Sequence, residues 1–402
     1  MNLRLKLTAW LMLLCLCLPA TALDDEHWKM ANDSIEKGIA YLREVQNEDG
    51  SWMPDLGPAV TGLALTALLE RPDIGPEDPT AAKAIAYILK HVQEDGSIRT
   101  GPDGILASYN TALSLSALAR IGGSNVEAAA AIKGGQEFLK GTQWIVGMTD
   151  PDGNVIDEDH PFYGGFGYGG SGRPDISNTQ LALQALKDTG VDCEDPVFKR
   201  ALVFLNRIQA VESNDKNADK FEELDGGFIY SSSINKDHIG VPESKASQDQ
   251  IDEGKAGRPV SGLRTYGSVT YAGFKSMIYA NLDRDDPRMV AAMDWISKNY
   301  QLDANPGMPE EQKLQGLFYY YLTKARALNA YGNSTIAVKR PATEEGSEES
   351  VERRDWANDL IATVVSQQHE EGWWANTETR WLESQPALVT AYSIIALQNA
   401  ID

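Results

Sequence analysis

An all-α fold assembled from six copies of one helix–turn–helix unit is predicted by three observations in this 402-residue chain. One residue pattern recurs on six apolar helices, and a second recurs on the helices that precede them. Asp-Gly or Glu-Gly turns separate the two in four of the copies. Strand-like alternation is scarce.

The first unit sets the pattern. Its outer helix runs through Tyr41 and Leu42 to Gln46 and stops at Asp49-Gly50-Ser51-Trp52; an inner helix follows from about Pro58 to Leu69. The inner helix carries Thr61, Leu65, Ala67 and Leu68. The same offsets return at Thr111, Leu115, Ala117, Leu118, at Thr179, Leu183, Ala185, Leu186, and at Thr390, Ile394, Ala396, Leu397. Looser copies stand at Thr270, Phe274, Ser276, Met277 and at Tyr321, Ala325, Ala327, Leu328. Positions four and seven apart share one helical face, so each copy offers an apolar stripe with small residues for close packing. The outer helices repeat an aromatic residue ahead of a glutamine or its substitute: Tyr41/Gln46, Tyr87/Gln93, Phe138/Gln143, Phe204/Gln209 and Trp295/Tyr300, with Gln367 and Gln368 in the last unit. Glycine in the turns supplies a backbone conformation other residues resist, which ends the outer helix and reverses the chain.

Ahead of the repeats, Arg4 and Lys6 precede an apolar run from Leu7 to Leu18 and a small-x-small Ala20-Thr21-Ala22. This is the layout of a secretory leader over residues 1–22. The expected product is an exported protein, periplasmic or secreted, with no transmembrane segment after cleavage and a single toroid-forming domain over 31–402. Two of the three cysteines sit in the leader, leaving Cys193 and no internal disulfide. The formal net charge of −22 becomes more negative once Arg4 and Lys6 are lost, which excludes nucleic acid and anionic membrane surfaces as partners. Three insertions interrupt the repeats: 150–173, with the aromatic-glycine run Phe162 to Gly170; the polar 212–264; and 336–352, where Ala342 to Ser350 reads as a solvated acidic linker. Loops this long are usually functional or disordered.

The stretch Lys37-Gly38, Tyr41-Leu42, Gln46 and Gly50-Ser51-Trp52 resembles the glutamine–tryptophan repeat of squalene and oxidosqualene cyclases, also found in protein prenyltransferase β subunits. The likeness covers roughly Ala31 to Ala400. It implies an α6/α6 toroid, with the N-terminal ends of the inner helices lining a cavity and with the glutamine and tryptophan tying neighbouring outer helices. In the cyclases an Asp-x-Asp-Asp-Thr run protonates an alkene through its middle carboxyl. Here the matching stretch is Asp175-Ile176-Ser177-Asn178-Thr179, so a serine holds the donor position, and a hydroxyl cannot do that work. The literal match Asp283-Arg284-Asp285-Asp286 precedes Pro287 and reads as a helix cap. The prenyltransferase zinc site fares no better, because Ser177 again stands where that family has cysteine. No metal site and no cofactor are expected.

What remains is a candidate cavity lining: Tyr109, Asn110, Ser177, Asn178, Tyr266, Ser268, Tyr319 and Tyr320, with Phe166 and Tyr168 closing over the top and Asp175 as the one catalytic candidate. Aromatic walls with few polar groups suit a small, largely apolar or ring-shaped ligand, and the resemblance implies an isoprenoid-like one. His160 and His238 lie in the insertions and are expected at the surface or over the cavity. Two other readings stay open. One is a non-catalytic envelope scaffold with a protein partner. The other is a carbohydrate-active barrel, with Asp175 paired to a carboxylate from Asp157-Glu158-Asp159.

Overall fold

A computed structural model describes residues 23–101, 106–121, 125–169, 172–340 and 350–402. The leader read over 1–22, Gly170, and all of the 342–350 linker but Ser350 lie outside them. Outer helices are α1 (Asp25–Glu44), α3 (Pro79–Lys90), α5 (Val126–Thr142), α7 (Pro196–Arg207), α10 (Pro287–Lys298) and α12 (Trp356–Ser366). Inner helices are α2 (Ala59–Leu69), α4 (Ala107–Leu118), α6 (Ile176–Asp188), α9 (Gly267–Tyr279), α11 (Leu317–Tyr331) and α13 (Pro386–Ile401); a short α8 (Gln248–Lys255) lies in the second insertion. Each inner helix packs on the next, α13 packs back on α2, and α1 meets both α12 and α13, so the ring is closed. This is an all-α toroid. The inner helices are buried nearly all round, as α2 is from Ala59 to Leu68. The outer ones bury a single stripe, as α7 does with Val197, Phe198, Ala201, Phe204 and Leu205. Asp286 accepts the Arg288 N–H as the cap of α10.

The repeated residues have repeated jobs. The inner-helix threonine accepts the backbone N–H of the residue just past the turn: Trp52 on Thr61, Ile98 on Thr111, Phe166 on Thr179, Phe228 on Thr270 and Trp374 on Thr390. In the fifth unit Tyr321 instead donates its hydroxyl to the Leu302 carbonyl. The glutamine amide bridges to the next outer helix at four seams: Gln46 to Thr80, Gln143 to Val197, Gln209 to Arg288, and Gln368 to Ser34, which joins the last unit to the first. The tryptophans do not make this tie. Trp52 and Trp374 donate to the carbonyls of Leu42 and Val364 on their own outer helices, so they close the hairpin rather than the seam. Gly50, Gly96, Gly164, Gly226 and Gly372 all take φ between +81° and +93°. A Cβ on any of them would lie 2.0–2.5 Å from a carbonyl oxygen of the adjoining outer helix.

The seam between α10 and α12 is built differently. Two strands the sequence reading passed over, β1 (Thr335–Arg340) and β2 (Ser350–Asp355), pair antiparallel on either side of 341–349. Ile336 and Val338 alternate inward, and β1 packs on α10. Tyr300 donates to Asp359 at 2.8 Å, and Arg354 pairs with the same carboxylate.

Along its axis the described residues enclose a hollow toward the inner helices' N-terminal ends. Toward the inner helices' C-terminal ends, Lys275 and Arg326 both donate to Gln184, and Arg120 bridges Glu70 and Asp188. Burial and the neighbouring Arg326 push the Lys275 ammonium well below its usual range.

Candidate functional site

The open end holds a cavity of about 240 Å³. Its wall follows one rule. The residue two before each repeat anchor lines it in all six units: Ala59, Tyr109, Ser177, Ser268, Tyr319 and Leu388. One turn further in, Leu63, Leu113 and Tyr392 continue the lining on α2, α4 and α13. Two larger depressions, one between α3 and α5 and one beside Tyr300, are grooves on the outer surface.

Of the residues singled out in the sequence, Tyr109, Tyr168, Ser177, Tyr266, Ser268 and Tyr319 face this cavity. The other four do not. Successive helical residues point about 100° apart, so where 109, 177 and 319 face inward, Asn110, Asn178 and Tyr320 turn into the packing. Asn110 accepts the Ala59 N–H at 2.7 Å and so caps α2. Asn178 donates its amide to Asp175, and Tyr320 donates to the Gln301 carbonyl. Phe166 is wholly buried, occupying in the third unit the place Trp52 has in the first.

Asp175 is not in the wall. It caps α6 from one layer behind, accepting the Asn178 N–H at 2.8 Å, the Asn178 amide at 2.9 Å and the Ser177 hydroxyl at 2.7 Å. Burial raises its pKa; Arg173 and these donors hold the rise back. The polar corner continues through Ser177 to the Tyr230 hydroxyl at 3.1 Å and from Tyr230 to Tyr168 at 3.3 Å. Tyr168 stacks on Tyr109 with centroids 5.4 Å apart. Burial raises the phenols of Tyr109, Tyr230 and Tyr266 well above their ordinary range, so they are un-ionised at neutral pH. Replacing Asp175 by alanine is expected to cost about 2–3 kcal/mol in urea unfolding, from the lost cap and the stranded donors. Asparagine, which can still accept, should recover most of it.

Sequence reasoning missed four wall residues with polar or strained character. Tyr230 comes from the 212–264 insertion and is covered by Arg173 and Lys245, both paired with Glu243. Glu383 is 1 % exposed; its carboxylate accepts the Tyr319 N–H at 2.8 Å and the Asn376 amide at 2.6 Å, at the N-terminus of α11. Burial outweighs these donors and raises its pKa to about 7. Beside it, Trp381 and Leu382 hold φ of +56° and +65°, a left-handed backbone few such residues adopt, and stand 41 % and 42 % exposed at the rim.

The remaining candidates lie elsewhere. His160 does not line the cavity; partly buried, it bonds Asp150 at 3.1 Å and packs on Phe162 of a small satellite core. His238 bonds Asn235 in the second insertion. Asp157, Glu158 and Asp159 are exposed on the outside, with Asp159 paired to Lys216, so they supply no partner for Asp175. Cys193 is half-buried with a free thiol. Among the described residues no three His, Cys, Asp or Glu side chains converge as a metal site, and no helix is long and apolar enough to cross a membrane.

No protein-family model matches the chain, and no curated protein matches it in sequence. Solved structures do match in fold. A point variant of the type II terpene cyclase MstE from Scytonema, in complex with the product merosterolic acid A, shares 14% identity over 94% of this chain and 99% of its own, with a TM-score of 0.51. A mutant unsaturated glucuronyl hydrolase from Streptococcus agalactiae shares 10% identity over 95% of this chain and 93% of its own, with a TM-score of 0.50. The class these define is the α/α toroid, a fold that hosts terpene cyclisation in one neighbour and glycoside chemistry in the other.

Proposed function

We propose that this chain is an exported toroid that binds one small apolar, isoprenoid-like molecule in the cavity at the inner helices' N-terminal ends. The observation that carries this reading is the wall: Ala59, Val60, Leu63, Leu113, Val269 and Leu388 with six tyrosines, and only hydroxyls, the Trp381 indole N–H and one buried carboxyl for polarity. Such a surface releases little binding energy to a polar solute and much to a hydrocarbon. The fold is compatible with this, since another structure of the MstE cyclase holds geranylgeranyl dihydroxybenzoate as substrate. Ser177 at the alkene-protonating position argues for binding rather than for cyclisation by that route.

A second reading, a carbohydrate-active barrel, is favoured by Glu383, whose pKa near 7 suits a general acid at neutral pH. It needs a second carboxylate across the cavity, and Asp175 lies behind Ser177.

Titrating the purified protein with geraniol and, separately, with a maltooligosaccharide, while following intrinsic fluorescence, decides between them. Saturable binding of the prenyl alcohol is expected, weakened at least about tenfold by Ala59→Leu, which fills the cavity. Binding of the sugar alone would overturn the proposal. Export is checked on envelope-fraction protein from its own host, which should begin at Leu23.

A further inference from the structure

We infer that the polar corner of the cavity is built to receive a hydrogen-bond donor, so that the ligand is an apolar molecule ending in an alcohol whose hydroxyl reaches the Ser177–Tyr230–Tyr168 chain. This rests on the apolar-ligand reading above and narrows it to one chemical class.

The argument follows the protons. Asp175 is surrounded by donors: the Asn178 N–H on one oxygen and the Asn178 amide on the other. Its third partner, the Ser177 hydroxyl at 2.7 Å, therefore donates as well, into an acceptor-only carboxylate. A serine has one proton, and this one is committed backward, away from the cavity. Toward Tyr230 Ser177 has only lone pairs to offer, so the phenol at 3.1 Å must donate to it. The Tyr230 oxygen in turn accepts from Tyr168 at 3.3 Å. A single buried carboxylate thus polarises the whole chain in one direction. Every proton in it points back toward Asp175, so along this chain what is left for a ligand is oxygen lone pairs.

A ligand ether, ester, carbonyl or carboxylate would set lone pairs against lone pairs there, and a bare hydrocarbon would dehydrate these oxygens without replacing water. Either leaves buried acceptors unpaired. An ammonium could donate, but Arg173 and Lys245 lie over the Tyr230 ring at 5.4 and 4.6 Å and oppose a further cation. A neutral hydroxyl meets both conditions. The cavity has room for about eight waters at ~30 Å³ each, so the skeleton behind that hydroxyl is a short one.

The test compares three probes on one skeleton, geraniol, its methyl ether and the corresponding hydrocarbon, by calorimetric titration of the whole protein. Geraniol should bind at least about tenfold more tightly than the ether. In Tyr230→Phe and in Ser177→Ala that ratio should fall below about twofold. The phenylalanine variant removes only an oxygen, and an unchanged melting temperature certifies its fold. Equal binding of all three probes to the wild type, or a ratio that survives in Tyr230→Phe, overturns the hydroxyl inference while the apolar cavity stands. Binding of none of them overturns the cavity reading itself, and this inference with it.

Discussion

Gly372→Ala should destabilise the protein by about 2–5 kcal/mol, far more than a turn glycine ordinarily does. At φ +93° an alanine pays about 1–2 kcal/mol for the left-handed backbone alone. Its Cβ would also lie 2.5 Å from the Lys37 carbonyl oxygen and 3.2 Å from the Lys37 Cβ, adding an overpacking cost of about 1–3 kcal/mol. Relief requires the turn to withdraw from α1, and Gln368, bonded to the Ser34 carbonyl at 2.9 Å, would withdraw with it. That seam joins the last hairpin to the first. The control is Gly190→Ala, at φ +83° with nothing within 4 Å of the added carbon, which should lose only the backbone share. Urea unfolding of the two variants isolates the contact. Equal losses would mean that the close approach of turn and helix contributes nothing to closing the ring.

The second large effect is a rise in stability with pH. Lys324 is fully buried, its Nζ 3.7 Å above the Tyr300 ring, with contacts of 3.5 Å to the Gln301 carbonyl and the Tyr320 hydroxyl. Burial lowers its pKa from 10.5 to about 7. Between these two values the unfolded chain binds a proton that the folded one does not, so stability climbs with pH through this window and falls as pH drops back toward 7. The slope approaches about 1.4 kcal/mol per pH unit, giving about 2 kcal/mol between pH 7 and 9. Lys275 is depressed as well and adds its own share. Glu383, raised to about 7, acts with the opposite sign and takes back roughly 0.4 kcal/mol above pH 7, and the buried tyrosines do so only above about pH 10, outside the range tested. Denaturant melts at pH 7 and 9 should show the rise in the wild type and a loss of about 2 kcal/mol of it in Lys324→Met. The variant should also be no less stable than the wild type at pH 7, because Tyr320 and Gln301 already bond each other at 2.6 Å. An unchanged pH slope in Lys324→Met would mean the ammonium is charged in the folded protein.

The architecture was legible because six units repeat the same physical tasks. An anchor threonine must accept one particular N–H, and a turn glycine must fit against a neighbouring carbonyl, so the residue types recur wherever the task does. The fifth unit was the faintest copy because other groups stand in its places: Tyr321, donating to the Leu302 carbonyl, where the others have a threonine that accepts an N–H, and the Tyr300–Asp359–Arg354 cluster where the others have a glutamine bridge. The short β1 was overlooked because only Ile336 and Val338 carry its alternation. At the site, reading pairs such as Tyr109 and Asn110 as joint lining ignored the turn between neighbours on a helix. Glu383 and Trp381 had no signal at all. Their segment adopts a left-handed path without glycine, which no residue type announces, and Glu383 reaches the cavity by capping α11, whose Tyr319 lies 64 residues away in sequence.

The polar plug of Gln184, Lys275 and Arg326 gives the toroid a floor. For the ligand proposed above, this floor makes the toroid a pocket rather than a channel: entry and exit share the rim beside Trp381 and Leu382.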